Sequence, residues 1–167
     1  MTNCPKVDVI IPVYNRERYI AEAVDSVLRQ TYRNLHITIV NDGSTDRSAN
    51  QIEPYLGHPK VTYLEQENQG PAIARNRGIT TSSGELLAFL DSDDVWLPTK
   101  LEKQVEFLVR NPTIPLVHAA RMDIDANGTV KEPKLVMDAR GYCFKDLFIR
   151  NRIILSTVVI TRSCLND

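Results

Sequence analysis

Cysteine is scarce in this 167-residue chain: Cys4, Cys143 and Cys164 are scattered and form no C-x-x-C pair. That excludes a disulfide framework and a zinc site built on thiolates, and a reducing compartment fits. Charge of one sign is also missing. Twenty Lys and Arg stand against 21 Asp and Glu, a net charge of −1. There is no basic footprint for nucleic acid and no polybasic patch for a membrane surface. Long hydrophobic runs are absent as well. The first apolar stretch, "VDVIIPV", is too short and broken for a signal peptide or a membrane span. No repeat or low-complexity tract interrupts the chain, and its length suits one domain with a sizeable core.

What the chain does have is an alternation of strand and helix patterns. Val7–Val13 is rich in Val and Ile and reads as a buried strand, with Pro12 near its end where a missing N–H is tolerated. Tyr19, Ile20, Ala23, Val24, Val27 and Leu28 recur at helical spacing, so a helix is expected over 16–30 with Asn15 as its cap. Leu35–Asp42 is a second strand, and "GSTD" turns into a helix that Ser44 caps, with Asp46 in its first turn and Pro54 shortening its end. Lys60–Gln66 is a third strand. Pro71 opens the next helix, and Gly78 or Gly84 marks its exit. The run from Glu85 is the fourth strand, and Leu101, Val105 and Leu108 form the stripe of a fourth helix.

Four such units predict a parallel sheet covered by helices on both faces over residues 1–110. Beyond Pro112 the pattern changes. Two strands around Ala126–Gly128, a short helix over 142–150 and a last strand over 153–161 predict a mixed or antiparallel extension over 111–167. The closing residues do not look like a natural domain end, so a single, truncated domain is expected.

Ligands of open parallel sheets bind beyond the carboxyl ends of the strands, where strand order reverses. The unusual residues fall there. The first strand ends at Pro12-Val13-Tyr14-Asn15, the second at Asn41-Asp42-Gly43-Ser44, and the fourth at Asp91-Ser92-Asp93-Asp94. Three carboxylates at the end of a buried strand are opposed by repulsion and desolvation unless a cation is expected. Asp91 and Asp93 could hold a hard divalent cation, Mg2+ or Mn2+, with phosphate oxygens and water completing its shell. The ring of Tyr14 could cover a base, or simply cap the sheet. Asp42 could accept from a base N–H, or only open an Asx turn. Asp94 reads as a cap for the next helix, and Glu17 as either a ligand contact or a partner of the helix dipole. Arg75 and Arg77 cannot share a helix face; Arg75, nearer the strand ends, is the one expected at the cleft. His118 reads as a core histidine, and His36 and His58 carry no role.

Four ordered blocks, "VIIPVYNRERYIAEAVDSVLRQTY", "IVNDGSTD", "NQGPAIARNRGI" and "LLAFLDSDDVWLPTKLEKQ", resemble family-2 glycosyltransferases of the GT-A fold. "NRIILSTVVITR" resembles a later block of that family. The resemblance implies an α/β sandwich for nucleotide-diphospho-sugars. Pro12, Val13 and Tyr14 would line the nucleotide, Asp42 would bind the base, and Arg75 would help hold the nucleotide. Asp91-Ser92-Asp93 would be the DxD motif, with Asp93 the direct metal ligand and Asp91 nearer the ribose or a metal-bound water. Asn41 stands where many relatives carry Asp.

The implied reaction is inverting, metal-dependent transfer of a sugar, most often from a UDP-sugar, to a hydroxyl of a glycan or lipid-linked acceptor. It would serve polysaccharide or glycolipid assembly, with a cytoplasmic location peripheral to the inner membrane face. The catalytic base is expected beyond Asp167, since Asp138, Asp146 and Asp167 match none of the family's later acidic pattern. Two rivals stand beside this reading. "FLDSDDV" also fits a haloacid-dehalogenase-like phosphatase with Asp91 as nucleophile and Asp93 as general acid. A catalytically incomplete nucleotide-sugar-binding module is the other.

Overall fold

The structure, a computed structural model, describes residues 4–125, 128–130 and 153–165. Six strands form one sheet: β1 (Val7–Val13), β2 (Leu35–Asp42), β3 (Val61–Gln66), β4 (Leu86–Phe89), β5 (Leu116–His118) and β6 (Val158–Thr161). Among the described residues four α-helices accompany them: α1 (Ile20–Leu28), α2 (Ser48–Ile52), α3 (Pro71–Thr81) and α4 (Lys100–Arg110). Strand order is β3-β2-β1-β4-β6-β5. β1 pairs in parallel with β2 and β4, and β2 with β3, whereas β6 runs antiparallel to both β4 and β5. The expected parallel half and mixed extension are both present. Strand order reverses between β1 and β4, which fixes where a cleft can open.

Alternation along the strands divides the core. Val7, Val9, Ile11 and Val13 of β1, with Leu86 and Ala88 of β4, pack under Ile20, Ala23, Val24 and Val27 of α1 and Leu101, Val105 and Leu108 of α4. Ile10, Leu87, Phe89 and Val158 face the other way, with Ile79 of α3 against them. Both faces of β1 are therefore dry, as its Val/Ile run requires. Each fully buried Ile, Leu or Val contributes about 1.5–3 kcal/mol relative to exposure.

Several local expectations are corrected. α1 starts at Ile20, four residues after the expected Arg16, and ends at Leu28. Asn15 is not its cap: it holds a positive φ of 53° and ties to another loop. The N–H groups of Asn15, Arg16 and Glu17 donate to Ser44 Oγ, Ser48 Oγ and Asp46 Oδ2 at 3.1, 2.8 and 3.0 Å. Those bonds hold the segment out of the helix. Ser44 does not cap α2, which begins at Ser48; Asp46 Oδ1 instead accepts from Ser48 N at 2.9 Å. The expected shortening at Pro54 is present: α2 ends at Ile52 and gives way to a 3-10 turn, Glu53–Tyr55. Gly78 is inside α3, where a Cβ would stand 2.5 Å from Ile10 Cγ2, so close packing of helix on strand explains it. Asp94 is not the cap of α4, since Thr99 precedes that helix.

His118 is half-buried on β5 rather than in the core. Of the two strands expected around Ala126–Gly128, the described residues hold β5 at the start of the first and one bridge, Ile124 with Val130. The expected helix over 142–150 and the strand residues after Val130 lie outside the described residues, and the last strand is the shorter β6. No helix among the described residues is long and apolar enough to cross a membrane.

At the edge of the sheet opposite the strand carboxyl ends, Asp8 is fully buried. It accepts from Ser83 N at 2.7 Å and from Gly84 N, and lies 3.2 Å from Lys6 Nζ and 3.7 Å from Arg162 Nη2. Arg162, just after β6, also donates to Gly84 O, Ile79 O and Ser82 Oγ at 2.6, 3.2 and 2.7 Å. A buried carboxylate needs such partners. Here they fasten β6 to the α3–β4 turn.

Candidate active site

A cleft of about 470 Å³ opens at the carboxyl ends of β1, β2 and β4. Pro12, Val13, Tyr14, Asp42, Arg75, Asp91, Ser92 and Asp93 all line it, joined by Arg16, Asn68, Gly70 and Pro71. Eight of the nine residues expected at the site thus converge from four separate blocks of sequence. Glu17 does not line this cleft. It borders a smaller neighbour of about 190 Å³ with Asp46 and Tyr19, and its Oε2 accepts from Arg47 N at 2.9 Å.

Each wall has a local cause. Tyr14 is 45% exposed where β1 ends, so its ring faces solvent at the cleft instead of closing the core. Asp42 is 2% exposed and does more than open a turn. Its Oδ1 accepts from Gln66 Nε2 at 2.7 Å and Gln69 N at 2.9 Å, and its Oδ2 from Gly70 N at 2.8 Å. The carboxylate therefore shapes the loop that leads into α3, and has capacity for about one further donor. Gly43 permits this approach: at φ 70° it lies so close that a Cβ would stand 2.8 Å from Asn68 N. Gly70, at φ 88°, precedes Pro71, the first residue of α3.

Two ion pairs cross the floor. Arg75 Nη2 donates to Asp91 Oδ1 at 2.6 Å, and Arg16 Nε to Asp93 Oδ2 at 3.2 Å. Arg77 turns away and donates to Glu65 O at 2.7 Å. The acidic turn is buttressed from far along the chain. Asp91 N donates to Ser156 Oγ at 3.0 Å, and Trp96, just beyond the turn, donates its Nε1 to Ser156 O at 2.7 Å. Burial pushes the Asp94 carboxyl above its usual value; a Ser156 hydrogen bond and Arg121 oppose the rise, while the charges of Asp91 and Asp93 add to it.

Among the described residues no three His, Cys, Asp or Glu gather into a ready-made metal cage. Asp91 and Asp93 offer two oxygen-bearing side chains on one cleft, which fits Mg2+ or Mn2+ completed by substrate phosphates and water rather than a protein-only site. Sequence reasoning missed Arg16 and the 68–71 loop. The Gly-Pro pair at the head of α3 was the available signal for the loop. A single arginine beyond a strand end carried none.

The chain is similar to known proteins along nearly its whole length. The family model described as "Glycosyl transferase family 2" matches residues 8–161. An uncharacterized glycosyltransferase of Rickettsia bellii is 42% identical over 162 residues, covering 97% of this chain and 23% of that protein. One from Haemophilus influenzae is 34% identical over 165 residues, covering 98% of this chain and 65% of its own length. The chain thus spans less than two thirds of either relative. Staphylococcus aureus TarS 1-349, solved in complex with UDP-GlcNAc, superposes with a TM-score of 0.65 at 27% identity, over 76% of this chain and 37% of that one. The dehalogenase-like reading, which wants its acidic motif on the first strand, finds that motif after β4 instead. With the four sequence blocks, the reversal between β1 and β4 and the family match in agreement, the chain belongs to glycosyl transferase family 2.

Proposed function

We propose that the cleft between β1 and β4 binds the nucleoside diphosphate of a sugar donor, and that the protein transfers the sugar to an acceptor hydroxyl with inversion. The observation that carries this is convergence: an exposed aromatic, a buried carboxylate, two arginines and the Asp91-Ser92-Asp93 turn share one cavity. UDP-GlcNAc in the similar TarS supports a nucleotide-sugar donor, with a UDP-sugar the first choice.

In this reading Tyr14 covers the base, flanked by Pro12 and Val13. Asp42 uses its remaining acceptor capacity on a base N–H. Arg75 holds Asp91 in place beside the ribose, and Asp93 is the direct ligand of Mg2+ or Mn2+. A cation held there would neutralise charge on the departing diphosphate. Ser92, buried between Asp91 and Asp93, lines the same cleft. Residues 1–110 serve the donor and residues 111–167 begin the acceptor side, with the general base supplied from beyond Asp167. A glycan or lipid-linked acceptor and a place at the cytoplasmic face of a membrane complete the proposal.

A thermal-shift panel of UDP, GDP, CDP, ADP and dTDP, each with and without Mn2+, tests it. At a hundredfold excess over Kd, one nucleotide should stabilise by about 2.7 kcal/mol, or about 5–10 °C, only when the metal is present. Asp93→Ala should lose the metal-dependent part. A panel in which no nucleotide shifts Tm would overturn the reading.

A further inference from the structure

Arg16 is counted in the convergence above but given no ligand there, yet it lines the cleft and pairs with Asp93 of the acidic turn. Its backbone is fixed. The positive φ of Asn15 turns the chain, and Arg16 N donates to Ser48 Oγ at 2.8 Å. The guanidinium rests on main chain through Nη1, which reaches Asn15 O at 3.0 Å and Tyr14 O at 3.5 Å, while Nε reaches Asp93 Oδ2 at 3.2 Å. An arginine has five N–H donors, so the two on Nη2 are left over from these bonds.

The two ion pairs of the cleft differ. Arg75–Asp91 is short, at 2.6 Å, with side chains 22% and 35% exposed. Arg16–Asp93 is longer, at 3.2 Å, with side chains 43% and 46% exposed. Solvent screens the second pair, so its partners exchange readily. Charge supplies the reason for exchange. Arg16 and Arg75 face Asp42, Asp91 and Asp93 across the cleft, one negative charge in excess. A divalent cation alone would reverse that balance beside a fixed guanidinium. A diphosphate arriving with it restores the balance and offers Arg16 a bidentate acceptor of the kind guanidinium prefers.

Resting on the donor-binding reading, we propose that Arg16 is the counter-ion of Asp93 in the donor-free protein and passes to the donor's diphosphate when a divalent cation takes Asp93. Arg16 thereby makes the binding of cation and nucleotide interdependent. It penalises the cation alone, rewards the pair, and keeps Asp93 neutralised until both arrive. Such coupling is reciprocal: each ligand raises the affinity for the other by the same factor.

The test is a titration of Mn2+ into the protein, followed by the electron paramagnetic resonance signal of free Mn2+, without nucleotide and with each of UDP, GDP, CDP, ADP and dTDP. Nucleotide binding in saturating Mn2+ is measured in parallel by calorimetry. Arg16→Gln should bind Mn2+ alone about threefold more tightly, the scale of an exposed ion pair. The same variant should bind the nucleotide with Mn2+ about tenfold more weakly, the scale of one charge-assisted hydrogen bond. Arg16→Lys, which keeps the charge, should recover part of the nucleotide affinity and bind Mn2+ alone as the wild type does. Opposite signs for the two affinities are what a merely structural role would not produce. If Arg16→Gln weakens both together, or changes neither while the wild type binds, the inference about Arg16 is wrong and the donor site stands. If the wild type binds none of UDP, GDP, CDP, ADP and dTDP with Mn2+, the donor-binding reading fails first and this inference with it.

Discussion

Lys100 lies 3.8 Å above the centroid of the Trp96 ring and donates to Gln104 Oε1 at 2.7 Å. Burial pushes its ammonium from the usual value down to about 7, while the ring and the amide oxygen favour the charged form. A lowered lysine means that the folded chain binds fewer protons than the unfolded one between about pH 7 and pH 10.5. Stability therefore rises with pH across that window. Urea denaturation at pH 7 and pH 9.5 should show the rise in the wild type and a flatter profile in Lys100→Met. At this scale the sequence was legible where a residue's chemistry dictates its surroundings. A carboxylate such as Asp42 at a strand end had to find donors, and Arg75 had to find an anion. Gly78 is ambiguous in sequence because glycine both ends helices and admits close packing, and only the neighbour Ile10 decides between the two. Arg16 stayed hidden because its partner Asp93 is 77 residues away.

Element ends and the segments between them build the cleft together: Pro12 and Val13 close β1, Asp42 closes β2 and Arg75 lies in α3, while Tyr14, Arg16, Asn68 and the acidic turn come from the connections. Residues 14–17 and 44–48 are knitted to each other: Asn15 Oδ1 accepts from Thr45 N at 2.8 Å and Asp46 N at 3.3 Å, and Asn41 Oδ1 accepts from Ser44 N at 3.1 Å. Ser156 performs the same service for the acidic turn, from a 3-10 turn over Leu155–Thr157. Removing its hydroxyl leaves the Asp91 N–H without that acceptor, at a cost of about 1–3 kcal/mol. Ser156→Ala should lower Tm and weaken Mn2+-dependent nucleotide binding, measured by calorimetry on the folded variant. Retention of both would show that Ser156 does not position Asp91. Strands were easy to read because β-branched runs fit a sheet buried on two faces. Periodicity overextends the first helix because the polar residues before Ile20 satisfy their N–H groups on another loop, a long-range choice that it does not encode.

At the scale of the molecule, four strand–helix repeats announced the parallel half, because right-handed crossovers leave few alternatives. The placement of β6 between β4 and β5 was not announced: Leu86 pairs with Thr161 and Leu116 with Ile160, across gaps of sequence that no local pattern bridges. β6 supplies Val158 and Val159 to the two cores, and Arg162 after it clasps the buried Asp8. A chain shortened to end at Val130 should lose cooperative unfolding and self-associate, as read by calorimetry and size-exclusion chromatography. A sharp transition at the wild-type temperature would show that β6 is dispensable. The late arrival of β6 also bears on synthesis. At about 5–20 residues per second, the roughly 70 residues from Phe89 to Val158 leave the ribosome over some 3–14 s. Throughout that interval the nascent sheet presents a bare flank at β4, and its ribbon of unpaired amides is open to any passing strand. Biogenesis, more than the finished fold, is where this architecture is exposed, and a holdase acting on the growing polypeptide would find its moment there.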